Sequence, residues 1–147
     1  MTVEDQIEAY IAAQPEPKSA ELRALHELVR RLAPEAQLWF LDGRDETGKI
    51  VSNPNIGYGV KRIDYAGGKS REFYRVGLSA NTAGISVYIM GLADKTFLSR
   101  AYGAALGKAK VTGYCIKFKS LRDVDLATLE AAIRFGLEGS GAGEAGA

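Results

Sequence analysis

Apolar residues near the start of the chain recur at the spacing of α-helices. The first stripe consists of Val3, Ile7, Tyr10 and Ile11, and the second of Leu22, Leu25, Val29 and Leu32. Thr2, with Asp5 three residues later, predicts a capping box for the first helix. Ser19 is the predicted cap of the second helix, and Pro34 limits that helix to about Ala33, because proline disfavours a helical conformation at the preceding residue.

The middle of the chain has the pattern of β-strands. The predicted strands are residues 37–41, 56–65, 71–78 and 85–90. The first is an apolar run around Trp39 and is predicted to be buried, whereas the last alternates along its length. Gly67 and Gly68 supply a hairpin turn between the second and third strands. Residues 42–55 are rich in Gly, Asp, Asn and Pro, which is typical of an irregular edge or a mobile lid. The segment as a whole predicts an antiparallel meander.

The last third of the chain predicts a helix, a strand and a final helix. Asp94 caps the helix, which stops at Gly107, and residues 114–119 alternate as a strand. Asp123 or Asp125 caps the final helix, whose stripe is Leu126, Leu129, Ile133 and Leu137. The order of elements predicts an α+β fold with a single antiparallel sheet of about five strands flanked by helices. Residues 1–138 form one predicted domain, and the Gly/Ala-rich tail at 139–147 is expected to be disordered.

Charge and composition narrow the classes of partner. Nineteen basic and eighteen acidic residues leave a net charge of +1, which argues against binding nucleic acid or anionic membranes through bulk charge. The N-terminal residues lack the basic and apolar regions of a signal peptide, and no apolar run approaches the roughly 20 residues of a membrane helix. The single cysteine favours a reducing compartment. We therefore expect a cytoplasmic protein without a nucleic-acid or membrane partner.

The sequence contains no complete catalytic motif. The string GAALGKAK differs from a phosphate-binding loop in its spacing and lacks the hydroxyl residue that would hold magnesium. His26 lies beside an apolar stripe with no catalytic partner nearby in sequence, so it is interpreted as structural. Cys115 is either a half-buried apolar residue or, if neighbouring lysines converge on it, a reactive thiol. No enzyme activity and no cofactor are predicted.

Basic and aromatic residues form the strongest candidate site. The basic members are Lys108, Lys110, Lys117 and Lys119, with Arg122 close behind, and the tyrosines of the neighbouring hairpin are Tyr58, Tyr65 and Tyr74. If the last strand joins the sheet beside that hairpin, these side chains would converge on a concave site for a small anionic ligand. The alternative is a solvated strand face whose lysines protect a sheet edge.

Two further functions stay open. Glu4, Asp5 and Glu8 are weak candidates for a metal site, although capping and solubility also explain them. Residues 85–90 are apolar on both faces, so an exposed edge there would suit a protein partner, and the chain is either a monomer or a homodimer.

The C-terminal half resembles a known family. The strings FYRVGLS, ISVYIMG and LGKAKVTGYCIKFKSLRDVDLATLE are similar to the domain of unknown function 1801 family, also called YdhG-like. The resemblance spans about residues 3–138 and is dense from Phe73 onward. The positions that match its signature are Gly107, Lys108, Cys115, Lys117, Leu121, Asp123 and Asp125. It implies a compact YdhG-like α+β fold without an established activity, and some relatives are frataxin-like iron chaperones, which makes iron delivery an alternative function.

Overall fold

The computed structural model describes residues 2–64, 66–92 and 94–138. Its helices are α1 (Val3–Ala12), α2 (Lys18–Leu32), α3 (Ala104–Leu106) and α4 (Leu126–Glu138). Its strands are β1 (Leu38–Leu41), β2 (Asn55–Tyr58), β3 (Lys61–Asp64), β4 (Ser70–Phe73), β5 (Val76–Asn81), β6 (Gly84–Ile89), β7 (Lys110–Val111) and β8 (Cys115–Phe118). A π-helical turn, Ser99–Gly103, leads into α3, and a 3-10 turn, Leu121–Asp123, precedes α4. The predicted tail and Tyr65 lie outside the described residues.

The strands form one large antiparallel sheet and one small one. Six strands pair in the order β1-β2-β5-β6-β8-β7, and β3 and β4 pair as a separate hairpin. The predicted α+β fold with helices flanking an antiparallel sheet is confirmed, with six strands in the main sheet instead of about five. The sixth strand is the short β7, which was not predicted. Each strand of the predicted hairpin is also interrupted, at Gly59 and at Tyr74–Arg75, so that its outer part pairs separately as β3 and β4. Gly67 and Gly68 have the positive φ angles predicted for the turn.

One face of the main sheet packs against the helices and forms the core. Its strand residues alternate along each strand, and the fully buried ones include Ile56, Leu78, Val87, Ile89 and Ile116. The buried apolar residues of the helices belong to the same cluster, among them Ile7, Ile11, Leu22, Leu25, Val29, Leu129 and Ile133. Burying each such side chain contributes about 1.5–3 kcal/mol. The predicted helical stripes are therefore the residues that hold the helices on the sheet.

The helix boundaries confirm most of the predicted caps. Thr2 and Asp5 form the capping box, and Asp125 caps α4 through the backbone N–H of Thr128 at 3.0 Å. Ser19 is not a cap, because α2 begins at Lys18. Its hydroxyl instead donates to the carbonyl of Ile11 at 2.7 Å and so joins the end of α1 to α2.

Other differences concern exposure. Leu126 is 52% exposed and does not belong to the buried stripe of α4. β1 is an edge strand and its residues are only half-buried, so the prediction of a buried strand there is wrong. β6 lies between β5 and β8 in the sheet. Its core-facing side chains are apolar, and its side chains on the other face are also largely buried. It therefore offers no exposed edge for a partner.

Residues 42–54 form an irregular excursion between β1 and β2, closed by a single bridge between Arg44 and Ile50. Ile50 and Val51 are more than half exposed there. Among the described residues, no helix is both long enough and apolar enough to cross a membrane.

Candidate functional site

The second face of the sheet carries small and polar side chains, and we call it the open face to distinguish it from the helix-covered face, although Ser79, Ser86 and Cys115 on it are buried. Its residues alternate with the core residues along β2, β5, β6 and β8. They include Gly57, Gly77, Ser79, Ser86, Tyr88, Cys115 and Lys117. Register places Ser79 opposite Ser86 and Ser86 opposite Lys117, so a polar row crosses three strands.

Tyr74 packs flat on the open face. Gly57 and Gly77 are direct partners across β2 and β5. A Cβ atom at Gly57 would lie 2.5 Å from the ring of Tyr74, and one at Gly77 would lie 2.6 Å from it. Only glycine permits this close approach, which leaves Tyr74 4% exposed. Burial raises the pKa of the Tyr74 phenol, so this side chain stays neutral.

Three of the four predicted lysines line one cavity at the end of this face. The cavity has a volume of about 260 Å³, and its polar lining consists of Asn81, Ser86, Lys110, Lys117 and Lys119. We call it the lysine cavity. It lies where the turn between β5 and β6 meets the end of β8. A Cβ atom at Gly84 would be 2.2 Å from the carbonyl oxygen of Phe118, so a glycine is needed for the turn to approach β8 this closely.

The charges of the lysine cavity are unbalanced. Lys110 on β7 and Lys117 on β8 are direct cross-strand partners, and like charges in that arrangement repel each other. No carboxylate lines the cavity. Within the described part of the chain, none of its three lysines forms an ion pair with an acidic side chain. An anion placed here would therefore meet positive charge that no side chain neutralises.

Two polar side chains complete the lining. Asn81 Nδ2 donates to Ser86 Oγ at 3.3 Å, and Asn81 Oδ1 accepts from the backbone N–H of Ala83 at 2.9 Å. These bonds fix the orientation of the Asn81 amide. Ser86 is fully buried and keeps its own hydroxyl proton, which it can donate to the neighbouring thiol of Cys115 or to the phenol oxygen of Tyr88.

The remaining predicted residues lie elsewhere. Tyr58 is fully buried on the helix-covered face, where its hydroxyl is 2.6 Å from Nδ1 of His26, so it does not face the lysines. Tyr74 faces the same side of the sheet as Lys117 but is not among the cavity residues. Lys108 is exposed in the loop before β7 and lines no described cavity near the lysines.

His26 and Cys115 are both buried groups. Burial, followed by the charge of Arg30, lowers the pKa of His26. Burial also raises the pKa of the Cys115 thiol, an effect only partly opposed by Lys117. The thiol is therefore mostly protonated at neutral pH and is a weak nucleophile.

The three candidate metal ligands, Glu4, Asp5 and Glu8, do not form a common site. Asp5 accepts from the backbone N–H of Thr2 in the capping box at 3.2 Å. Glu8 forms an ion pair with Arg23 at 2.7 Å. Within residues 2–64, 66–92 and 94–138, no three His, Cys, Asp or Glu side chains are close enough to hold a metal ion.

Asn81 and Ser86 were not predicted as site residues. Their polar character is visible in the sequence, but their position beside Lys117 follows from the pairing of β5, β6 and β8, which local patterns do not specify. The chain matches no protein-family model, no curated protein and no solved structure.

Proposed function

We propose that this protein binds a small anionic molecule in the lysine cavity and does not transform it chemically. The observation that carries the proposal is the grouping of Lys110, Lys117 and Lys119 around one cavity that no carboxylate lines. Lysine ammonium groups donate charge-assisted hydrogen bonds to carboxylate or phosphate oxygens, and an anion would relieve the repulsion between Lys110 and Lys117.

Protection of a sheet edge explains only part of this arrangement. Lys110 lies on β7, which is an edge strand, and a lysine there discourages pairing with another chain. Lys117 lies on β8, which has β6 on one side and β7 on the other. An interior position needs no such protection, so the pairing of Lys117 with Lys110 favours ligand binding.

A binding role is also favoured over catalysis. The buried thiol of Cys115 is the nearest nucleophile on the open face, and its raised pKa keeps it protonated. His26, the chain's single histidine, is buried on the opposite face against Tyr58. Among the described residues that line the lysine cavity, none is a histidine or a carboxylate that could act as a general base.

The family and cellular location belong to the same proposal. The strings quoted above support membership of the domain of unknown function 1801 family, whose members have no established activity for the most part. A single cysteine, which cannot form an internal disulfide, supports a cytoplasmic location. Iron delivery receives no support from geometry, because Asp5 and Glu8 are engaged in separate contacts.

Titration calorimetry with inorganic phosphate tests the proposal, with citrate as a carboxylate probe. We expect saturable binding that weakens as salt is added, because the attraction is between charges. Replacing both Lys117 and Lys119 by alanine should weaken it by roughly tenfold or more, since each hydrogen bond to a charged group contributes about 1.5–3 kcal/mol.

Lys108→Ala is the matched control, because it removes an exposed lysine of the same segment that lies outside the cavity. It should leave the affinity unchanged. Equal weakening by Lys108→Ala and by the double variant would show a non-specific charge effect and would contradict the proposal. Absence of saturable binding of both probes would also contradict it.

Self-association through β1 is a second candidate function, with another copy of the chain as the partner. The backbone N–H of Gly59 donates to the carbonyl of Gln37, and this register leaves the peptide groups of Leu38 and Phe40 pointing away from β2. The edge sequence LWFL contains no charge or proline that would block pairing. Light scattering over a concentration series should detect a dimer that Leu41→Lys disrupts, and a monomer at every concentration would exclude it.

A further inference from the structure

A second cavity adjoins the lysine cavity at the turn between β5 and β6. It has a volume of about 400 Å³, and its charged lining consists of Lys18, Glu21, Lys119, Arg122 and Asp123. Both cavities are lined by Ala83, Gly84 and Lys119. A ligand held by Lys119 is therefore in reach of both.

The carboxylate of Glu21 in the second cavity is already engaged by the protein. Its Oε2 accepts from the hydroxyl of Ser120 at 2.8 Å, and its Oε1 accepts from the backbone N–H of Leu121 at 3.2 Å. These bonds attach the first turn of α2 to the segment that follows β8. Glu21 thus has a structural role, which explains why an acidic residue lines a cavity proposed to bind an anion.

The cationic side chains of the second cavity differ in whether they already form hydrogen bonds within the protein. The ammonium of Lys18 donates to the backbone carbonyl of Asn81, which holds it beside the turn. The side chain of Arg122 is exposed and, within the described residues, forms no hydrogen bond or ion pair. A planar guanidinium can make two parallel hydrogen bonds to phosphate, whereas lysine acts as a point charge.

The two cavities therefore offer unequal attraction to anions. The lysine cavity has three lysines and no carboxylate, while the second has three cationic side chains against the carboxylates of Glu21 and Asp123. An anionic group should bind more strongly in the first. A second anionic group on the same ligand would be placed near Arg122, where it adds affinity and fixes orientation.

We propose that the ligand carries two adjacent anionic groups, as in a diphosphate ester, with one group in the lysine cavity, the other beside Arg122, and Lys119 between them. This inference rests on the proposed function, because it extends the same site. It names the chemical class that the pair of cavities selects, since a single phosphate or carboxylate would use only one of them.

Calorimetry on the full chain with inorganic phosphate and with pyrophosphate, at equal ionic strength, tests this inference. The unmodified protein should bind pyrophosphate at least tenfold more tightly than phosphate. Arg122→Ala should remove most of that gain and leave the affinity for phosphate unchanged. Lys117→Ala should weaken the binding of both probes, and the control variant Lys108→Ala should weaken neither. Circular dichroism melts would confirm that each variant is folded.

The outcomes separate this inference from the proposed function. If phosphate binds in a manner that depends on Lys117 but pyrophosphate gains nothing, the two-group ligand is rejected and the anion site stands. The same conclusion follows if Arg122→Ala leaves the gain intact. If neither probe binds, both proposals fail.

Discussion

The two faces of the main sheet come from the same strands but differ in side-chain size and exposure. On β8, Ile116 is fully buried beneath the helices, and its neighbour Lys117 is exposed on the open face. On β5, Val76 and Leu78 alternate with Gly77 and Ser79. The side chains on the helix-covered face are apolar and bulky. Those on the open face are small and polar where Tyr74 or the turn between β5 and β6 lies against them.

The difference follows from what covers each face. Between the helices and the sheet, large apolar side chains must fill the space at the packing density of a protein interior. Tyr74 instead lies directly on the backbone of Gly57 and Gly77, so any larger side chain there would collide with its ring. One face thus supplies most of the folding energy. The end of the open face that carries the lysines can hold unpaired charge, because this end contributes little to the core.

The largest expected effect contrasts two neighbouring residues of β8. Ile116→Ala should lower the free energy of unfolding by about 2–5 kcal/mol, because it leaves a cavity in the core. Lys117→Ala should change it by no more than about 0.5 kcal/mol. Any change should be an increase in the free energy of unfolding, because the repulsion between Lys117 and Lys110 disappears. Urea denaturation followed by circular dichroism measures both, and similar losses in the two variants would show that the faces share the folding energy.

A smaller effect is expected at the glycine platform. Gly77→Ala should cost about 1–3 kcal/mol, because the new methyl group lies 2.6 Å from the ring of Tyr74. Gly77 has no positive φ angle, so its backbone accepts alanine and the ring is the obstacle. In a Tyr74→Ala background the same change should be neutral or stabilising. Equal losses in both backgrounds, measured by urea denaturation, would contradict the close packing of Tyr74 as the reason for the glycine pair.

Helices and strand alternation could largely be predicted from the sequence, because both depend on local periodicity. The stripe containing Leu22, Leu25 and Val29 is buried as predicted, and so is Ile116. The subdivision of the hairpin between residues 56 and 78 was not predicted. It depends on the chain bending at Gly59 and at Tyr74–Arg75, and the pattern of apolar residues is compatible with one long hairpin.

The candidate site could be predicted only in part, because its members come from strands distant in the chain. Lys117 and Lys119 are close in sequence, so their grouping was accessible, whereas the contribution of Asn81 depends on β5 and β6 lying beside β8. Tyr58 was assigned to the wrong face because its burial depends on a contact with His26, thirty-two residues away. A tyrosine in a strand looks the same in sequence whether it faces a helix or a ligand.

The smallest expected effect is a pH dependence from the buried pair of His26 and Tyr58 on the helix-covered face. Burial and Arg30 lower the folded-state pKa of His26 below its ordinary value near 6.5. The unfolded chain therefore binds a proton more readily than the folded protein in this range. The stability that neutral His26 contributes should be complete above about pH 6.5–7 and should be lost as the pH falls from there through the lower folded-state pKa.

Because His26 is the only histidine of the chain, denaturation at a series of pH values from 7 to 5.5 isolates this group, with the carboxylates still ionised over most of that range. A His26→Leu variant should show a flatter profile over the same range. Lys117→Ala, on the open face, should retain the slope of the unmodified protein, because this variant leaves the buried pair of His26 and Tyr58 intact. Stability that stays constant or rises as the pH falls would mean that His26 is protonated inside the folded protein. The helix-covered face would then tolerate a charge, and the contrast between the two faces would be weaker than their packing indicates.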